Sequence, residues 1–211
     1  MIYDEDYFTS VDRYAYFAIL SPLTRFAPFT KNLILQMIHF KEVLFAKQRA
    51  TSLKKNFKPE SSLDIGTAGG ELVKELLDRS VDAYGIDVSK YQINNLPDIL
   101  KGRVILAEAG NIPFPDKQFD LVTAYHILEH IIEKDLINSL KEMSRVSKKY
   151  IILALPTQEN IHAHVDPTHQ SIFSYKVWTE KISVSLGEQW KIKKMSKPNR
   201  LKAFSLVLER K

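Results

Sequence analysis

The pattern of apolar and polar residues along the chain changes at about residue 60. From residue 61 onward, short apolar runs alternate with amphipathic segments, and this alternation predicts a doubly wound α/β fold built on a parallel sheet. The five strand candidates lie at about 61–65, 82–86, 103–107, 119–124 and 150–155. Helix candidates follow the first, second and fourth of these strands, so we expect helices on both faces of the sheet.

Beyond Pro156 the pattern changes to a polar, histidine-rich loop and then to a helix candidate at about 174–186. Two runs with period-two alternation follow, QWKIKKM and KAFSLVLER. The segment between them contains Pro198 and Asn199, which favour a turn. We therefore expect a C-terminal antiparallel hairpin that closes the sheet.

Residues 1–58 do not show the alternation of strand and helix candidates. They are rich in aromatic side chains near the start. A long helix is predicted from Thr30, a good N-cap residue, to about Leu53. We interpret residues 1–58 as an N-terminal helical cap packed on a single main domain, residues 59–211. The second half of the helix is basic, and a lid or substrate-docking role is the alternative to simple packing.

Composition places the chain among ordinary globular proteins, with 45% hydrophobic and 26% charged residues. There are no cysteines, which excludes disulfides and thiolate chemistry and favours an intracellular compartment. The start, MIYDEDYF, is acidic and does not resemble a signal peptide, and the apolar run from Tyr14 to Leu20 is far shorter than a membrane span. The expectation is a cytoplasmic protein with no membrane segment, a monomer or a homodimer.

The net charge of +5 is concentrated near the C-terminus. Residues 187–211 contain two glutamates and eight basic residues, Lys191, Lys193, Lys194, Lys197, Arg200, Lys202, Arg210 and Lys211. Such a segment is suited to phosphates or an acidic partner. The simpler interpretation is a solvated hairpin whose lysines protect its edge.

The stretch SSLDIGTAGGELVKELL at residues 61–77 predicts a strand, a tight turn and a helix. Gly66, Gly69 and Gly70 allow positive φ angles and leave room for a flat ligand. The unpaired N–H groups at the start of the following helix face the same opening. The turn therefore predicts a ligand site.

Acidic residues follow the next two strands of the predicted sheet. Asp87 ends the second strand, where a carboxylate is well placed to accept hydrogen bonds from two adjacent ribose hydroxyls. Glu108 follows the third strand. The spacing G-x-G-x-x-G of dinucleotide-binding turns is not present in DIGTAGG. A nucleoside-containing ligand other than a dinucleotide is thus predicted.

These residues resemble the class I methyltransferases that use S-adenosylmethionine, a family with a Rossmann-like fold. Asp64, Gly66 and Gly70 match the family's first motif, with Ala68 in place of its middle glycine, and AEAGNIPFPDKQFDLVTAYHILEHI at 107–131 continues the likeness. The resemblance implies S-adenosyl-L-methionine as cofactor, with Glu108 and the Ala109 N–H at the adenine and Tyr125 at the methionine end. The implied cofactor-binding residues are Asp64, Gly66, Thr67, Ala68, Gly70, Asp87, Val88, Glu108, Ala109 and Tyr125.

Histidines are the candidate catalytic residues on the acceptor side. His126 follows the fourth strand directly after Tyr125 and is the first candidate for a base near the methyl group. Among the histidines after the fifth strand, His169 belongs to Asp-Pro-Thr-His, a run similar to one that shapes the acceptor pocket in many relatives. We predict transfer of a methyl group to an oxygen or nitrogen of a small molecule. An RNA or protein acceptor and a non-catalytic subunit are the alternatives.

Metal binding is a further hypothesis for the same histidines, although no metal is assigned. His126, Glu129 and His130 fall at positions i, i+3 and i+4, which share one face if a helix begins there. His162 or His164 would complete such a set. The pattern is similar to that of metal-assisted O-methyltransferases.

Overall fold

A seven-stranded mixed sheet forms the centre of the protein, which we describe from a computed structural model over residues 28–164, 166–195 and 204–211. The strand order is β3-β2-β1-β4-β5-β7-β6. The strands are β1 (Ser61–Ile65), β2 (Asp82–Asp87), β3 (Val104–Leu106), β4 (Phe119–Tyr125), β5 (Ser147–Leu155), β6 (Trp190–Met195) and β7 (Phe204–Arg210). β1 to β5 pair in parallel, whereas β7 pairs antiparallel with both β5 and β6. The predicted five parallel strands and C-terminal antiparallel hairpin are confirmed, and the predicted turn around Pro198 lies outside the described residues.

Five α-helices belong to the described part of the chain. They are α1 (Pro28–Phe57), α2 (Glu71–Leu77), α3 (Lys90–Asn94), α4 (Glu133–Val146) and α5 (Tyr175–Leu186). α1 is longer at both ends than the predicted helix. The aromatic cluster predicted within residues 1–27 lies outside the described residues, so the N-terminal cap as a unit stays a prediction.

Two apolar clusters lie on opposite faces of the sheet because neighbouring residues of a strand point to opposite sides. On one face Val122 belongs to a cluster with Leu140 of α4 and Trp178 of α5. On the other face Leu121 belongs to a cluster with Ala50 of α1 and Leu76 of α2. Both faces of the central strands are therefore buried, which explains the apolar run at residues 151–155 in β5.

The sheet order changes direction between β1 and β4, since β2 and β3 extend to one side of β1 and β4 and β5 to the other. Loops that leave the carboxyl ends of strands at such a switch point diverge and open a crevice. The turns after β1, β2 and β4 all reach this crevice. No helix among the described residues is long and apolar enough to cross a membrane.

Candidate active site

The turn after β1 contains three residues in the left-handed region. Gly66, Ala68 and Gly70 have φ angles of 70°, 49° and 80°. The prediction was wrong for Gly69, which does not adopt a positive φ, and Ala68 adopts one instead. A Cβ at Gly66 would lie 2.0 Å from Cδ1 of Ile127, so only glycine fits there without displacing that side chain.

The carboxylate of Asp87 ties this turn to the end of β2. Its Oδ2 accepts a hydrogen bond of 2.8 Å from the Ala68 N–H, and its Oδ1 accepts one of 2.8 Å from the Ser89 N–H. The N–H groups of Gly66 and Thr67 also donate to the Ile86 carbonyl, at 2.8 and 3.1 Å. The two loops are thus held in one arrangement by hydrogen bonds to backbone groups.

Asp64 lies behind the turn and is buried. Its Oδ1 accepts a hydrogen bond of 2.6 Å from the Thr123 hydroxyl of the neighbouring strand β4. Burial raises the pKa of Asp64 to about 6, against the opposing effects of the Thr123 hydrogen bond and the positive charge of Arg49. Asp64 therefore changes charge close to neutral pH.

Arg49 of α1 brings a positive charge to the end of β4. Its guanidinium lies 4.3 Å from the ring centroid of Tyr125, within cation–π distance. Burial raises the pKa of Tyr125, so this phenol stays protonated at neutral pH. The sequence pattern did not single out Arg49, because nothing local shows that residue 49 reaches residues 64 and 125.

A cavity of about 590 Å³ opens at the carboxyl ends of β1, β2 and β4. Seven of the predicted site residues line it, namely Gly66, Ala68, Asp87, Val88, Glu108, Ala109 and His126. The other five, Asp64, Thr67, Gly70, Tyr125 and His169, are not part of its lining. The first group forms the wall of the cavity, and Asp64 and Thr67 are buried beneath the turn.

The start of α4 and the turn before it complete the lining of the cavity. The lining residues there are Ile127, His130, Ile131, Ile132, Asp135, Asn138 and Ser139. Of these, the sequence interpretation named only His130. The isoleucines between the fourth strand and the following helix were the available signal, since an apolar run in a loop requires something to cover it.

His126 and His130 do not share a helical face as the metal hypothesis required. His126 has a φ of 58° and precedes a 3-10 turn, Leu128–His130, whereas α4 begins only at Glu133. Nδ1 of His126 lies 3.1 Å from Oε1 of Glu129. His130 instead meets His169, with ring centroids 4.7 Å apart.

The remaining histidines of the loop after β5 are placed differently. Nε2 of His164 lies 2.9 Å from the Gln158 carbonyl oxygen, and the side chain is exposed. The side chain of His162 lies outside the described residues. Neither is brought to the cavity lining in the described part of the chain.

The sheet order, the antiparallel β7 and the acid-lined cavity beside a glycine turn together define a Rossmann-like, nucleoside-binding α/β domain. Residues 63–154 match the model of a family described as a methyltransferase domain. Over these residues the chain is similar to the class I, S-adenosylmethionine-dependent methyltransferases.

Curated relatives are similar over the same region. Ajmaline N-methyltransferase from Rauvolfia serpentina is 27% identical over 123 residues, which are 54% of this chain and 41% of that protein. Demethylmenaquinone methyltransferase from Geobacillus sp. (strain WCH70) is 36% identical over 100 residues, 43% of this chain and 42% of that protein. The chain thus spans about two fifths of the length of these relatives.

The fold is also shared with solved structures. A SAM dependent methyltransferase from Archaeoglobus fulgidus superimposes with a TM-score of 0.63 at 18% identity, covering 80% of this chain and 94% of that one. At such identity the likeness concerns the fold.

The residues present fit S-adenosylmethionine. Asp87 and Glu108 put two carboxylates on one wall of a cavity whose volume suits a nucleoside-sized ligand. The backbone of Gly66 and Ala68 forms the adjoining wall, and the Ile127 side chain lies against Gly66.

Proposed function

We propose that the protein is an S-adenosylmethionine-dependent methyltransferase that moves a methyl group to an oxygen or nitrogen atom of a small molecule. The main support is the single cavity that runs from Asp87 and Glu108 to His126 and His130. Acids suited to an adenosine and imidazoles suited to an acceptor line the same space. The cofactor would supply a methyl group already activated by a sulfonium.

The chain's own residues would bind and orient the cofactor. The Ala68 and Ser89 N–H groups orient the Asp87 carboxylate, which would accept hydrogen bonds from the ribose hydroxyls. Glu108 and the Ala109 N–H would contact the adenine edge. Asp64 and Tyr125 would act from behind the lining, at the side of the turn that Arg49 approaches.

Methyl transfer needs alignment more than acid–base chemistry, and alignment alone supplies about 7–11 kcal/mol of barrier reduction. The residues that line the cavity would hold a lone pair of the acceptor in line with the methyl group that the cofactor would supply. An acceptor hydroxyl must also lose a proton. We propose that His126 accepts that proton. Its ring is oriented by the buried carboxylate of Glu129, whose Oε1 lies 3.1 Å from His126 Nδ1.

A small acceptor is supported by the names of the two relatives, which describe methyltransferases for ajmaline and for demethylmenaquinone. The basic C-terminal segment supports a large anionic acceptor less well. Lys191 and Lys193 both pair with Glu209, at 3.2 and 3.0 Å, and the Arg210 guanidinium stacks 4.5 Å from the Trp190 ring centroid. Three of the eight basic side chains thus have partners within the hairpin.

Calorimetry with S-adenosylmethionine, and with NAD as control, tests the cofactor assignment. Micromolar binding of the first and no binding of the second is expected, and the reverse result would overturn the family-based function. Transfer of radiolabelled methyl groups is then measured with small-molecule, RNA and protein fractions of a cell extract. Label in the small-molecule fraction is expected.

The salt dependence separates the acceptor classes further. Transfer to RNA through the basic segment would weaken steeply as salt increases, whereas transfer to a small neutral acceptor would not. A non-catalytic subunit would bind the cofactor and give no label in any fraction.

A further inference from the structure

Glu129, His130 and His169 come together from two loops that are distant in sequence. Each contributes one potential ligand atom, and these three atoms lie within 4.8 Å of one another. Glu129 and His130 belong to the 3-10 turn after β4, and His169 belongs to the loop after β5. Glu129 is buried, and the two histidines are half-buried.

Hydrogen bonds fix the ring orientation of both histidines. Nδ1 of His169 lies 2.6 Å from the Ala163 carbonyl, which only accepts, so this Nδ1 carries the proton. Nδ1 of His130 lies 2.9 Å from the Thr168 hydroxyl, which itself donates to Asp166 at 2.6 Å. That hydroxyl therefore accepts from His130. In both rings Nδ1 thus donates to an oxygen, which is the arrangement that orients metal-binding histidines.

Only one of the two carboxylate oxygens of Glu129 has a hydrogen-bond partner among the described residues. Oε1 lies 3.1 Å from His126 Nδ1, whereas Oε2 is buried and has no hydrogen-bond partner among the described residues. Leaving a buried carboxylate oxygen without a partner costs free energy. This oxygen indicates a bound group that the protein atoms do not supply.

Backbone hydrogen bonds hold the two loops together at this point. The N–H groups of Gln170 and Ser171 both donate to the Glu129 carbonyl, at 2.7 and 2.9 Å, and the Ser171 hydroxyl donates to the Ile131 carbonyl at 2.6 Å. His169 is thereby held beside His130. The three side chains are therefore held together by the hydrogen-bonded backbone of the two loops.

We propose that Glu129, His130 and His169 bind a divalent transition-metal ion of the Zn²⁺ type. Two imidazole nitrogens and one carboxylate oxygen suit such an ion and leave a coordination position open. Metal–ligand bonds of about 2.0–2.1 Å place tetrahedral ligand atoms about 3.4 Å apart, so the three side chains would move closer together by small shifts when the ion binds. His126 is then an outer residue that hydrogen-bonds to a ligand.

The site adjoins the cofactor cavity because His130 lines that cavity and Glu129 holds His126, which also lines it. The open coordination position would hold an oxygen atom of the acceptor and lower its pKa, which is Lewis-acid assistance. The role of the ion at the acceptor rests on the proposed function, whereas the metal site itself does not depend on it.

Binding of the ion alone is the first test. The purified protein, freed of metal by chelation, is titrated with Zn²⁺ by calorimetry and with Co²⁺ while its visible ligand-field absorption is recorded. One equivalent of tightly bound metal is expected, with a Co²⁺ spectrum typical of four-coordination. Absence of stoichiometric binding, or a spectrum of hydrated Co²⁺, would overturn the proposal.

Variants identify the ligands. Glu129→Gln and His169→Asn should each weaken Zn²⁺ binding at least tenfold, while the control His39→Asn, which removes an exposed histidine of α1, should leave it unchanged. Thermal melts and calorimetry with S-adenosylmethionine confirm that each variant is folded. A variant that is folded and binds Zn²⁺ like the unaltered protein would remove that residue from the site.

Activity separates the metal site from the proposed function. If the ion holds the acceptor, chelation should lower methyl transfer at least tenfold and Zn²⁺ should restore it, without a change in the affinity for S-adenosylmethionine. Metal binding with transfer unaffected by chelation would keep the site and overturn its role at the acceptor. Failure of methyl transfer under all conditions would overturn the proposed function while the metal titrations still stand.

Discussion

The Asp87 carboxylate accepts a 2.8 Å hydrogen bond from the backbone N–H of Ala68. This bond joins the end of β2 to the glycine turn after β1, so the acid proposed to bind the ribose also holds the turn that borders the cavity. Binding of a ligand and the shape of its site are therefore coupled through one side chain.

Replacing Asp87 with alanine is expected to reduce S-adenosylmethionine affinity at least about 100-fold. The variant loses two hydrogen bonds to a charged group, each contributing about 1.5–3 kcal/mol, and it also releases the turn. Calorimetry measures the loss. Asp98→Ala is the matched control, because that aspartate is 93% exposed and pairs only locally with Lys101. Equal affinities of the two variants would contradict the ribose assignment.

Gly66→Ala is expected to destabilise the protein by more than Gly102→Ala does. Both glycines have similar positive φ angles, 70° and 78°, so both variants suffer the left-handed strain of about 1 kcal/mol. Only the Cβ at residue 66 meets another side chain, Ile127, while a Cβ at residue 102 has nothing within 4 Å. Urea unfolding gives the two free energies. Because Ile127 lines the cavity, Gly66→Ala should also weaken cofactor binding, and Gly102→Ala should not.

The pH dependence of stability should differ between the unaltered protein and Asp64→Asn. Folding raises the pKa of Asp64 from 3.8 to about 6, so the folded state favours the protonated form. The free energy of unfolding of the unaltered protein should fall, relative to that of the variant, as pH rises between about 4 and 6. The difference amounts to at most about 3 kcal/mol, at 1.36 kcal/mol per pKa unit. Other carboxyl groups titrate in both proteins, so a difference that is flat with pH would show that Asp64 is not responsible.

Arg49→Met should raise the pKa of Asp64 further. The guanidinium's positive charge favours the ionised carboxylate, and methionine keeps a long side chain over Tyr125 without that charge. Carboxyl NMR of the free protein measures the change. Arg103→Met provides the control, because Arg103 makes a similar contact with Tyr84, at 4.7 Å from the ring centroid. An Asp64 pKa that is unchanged by Arg49→Met would mean that the two charges do not interact.

Periodicity along the chain was enough to predict the sheet. Both faces of β4 and β5 are buried, so apolar residues are frequent in these strands and leave a local pattern. The alternation in β6 and β7 likewise indicated a hairpin at an edge. Element boundaries were less accurate, as at α1, because the pattern weakens where a helix end is covered only by its neighbours.

Motif spacing determined one wall of the site. Gly66, Asp87 and Glu108 were predicted from the ends of successive strands, since parallel strands bring those ends to one edge, and all three line the cavity. Spacing did not identify the residue that takes the left-handed conformation beside Gly66 and Gly70. That is Ala68, and it is set by the hydrogen bond from its N–H to Asp87.

The sequence by itself thus determined the fold class and the cofactor wall, because both leave signals in neighbouring residues. Only the tertiary structure decided which residues that are distant in sequence meet around the cavity. Arg49 reaches Tyr125 and Asp64 through the packing of α1, and His169 reaches Glu129 and His130 through backbone hydrogen bonds between two loops. Contacts between residues tens of positions apart depend on how whole elements pack, and no local pattern records them.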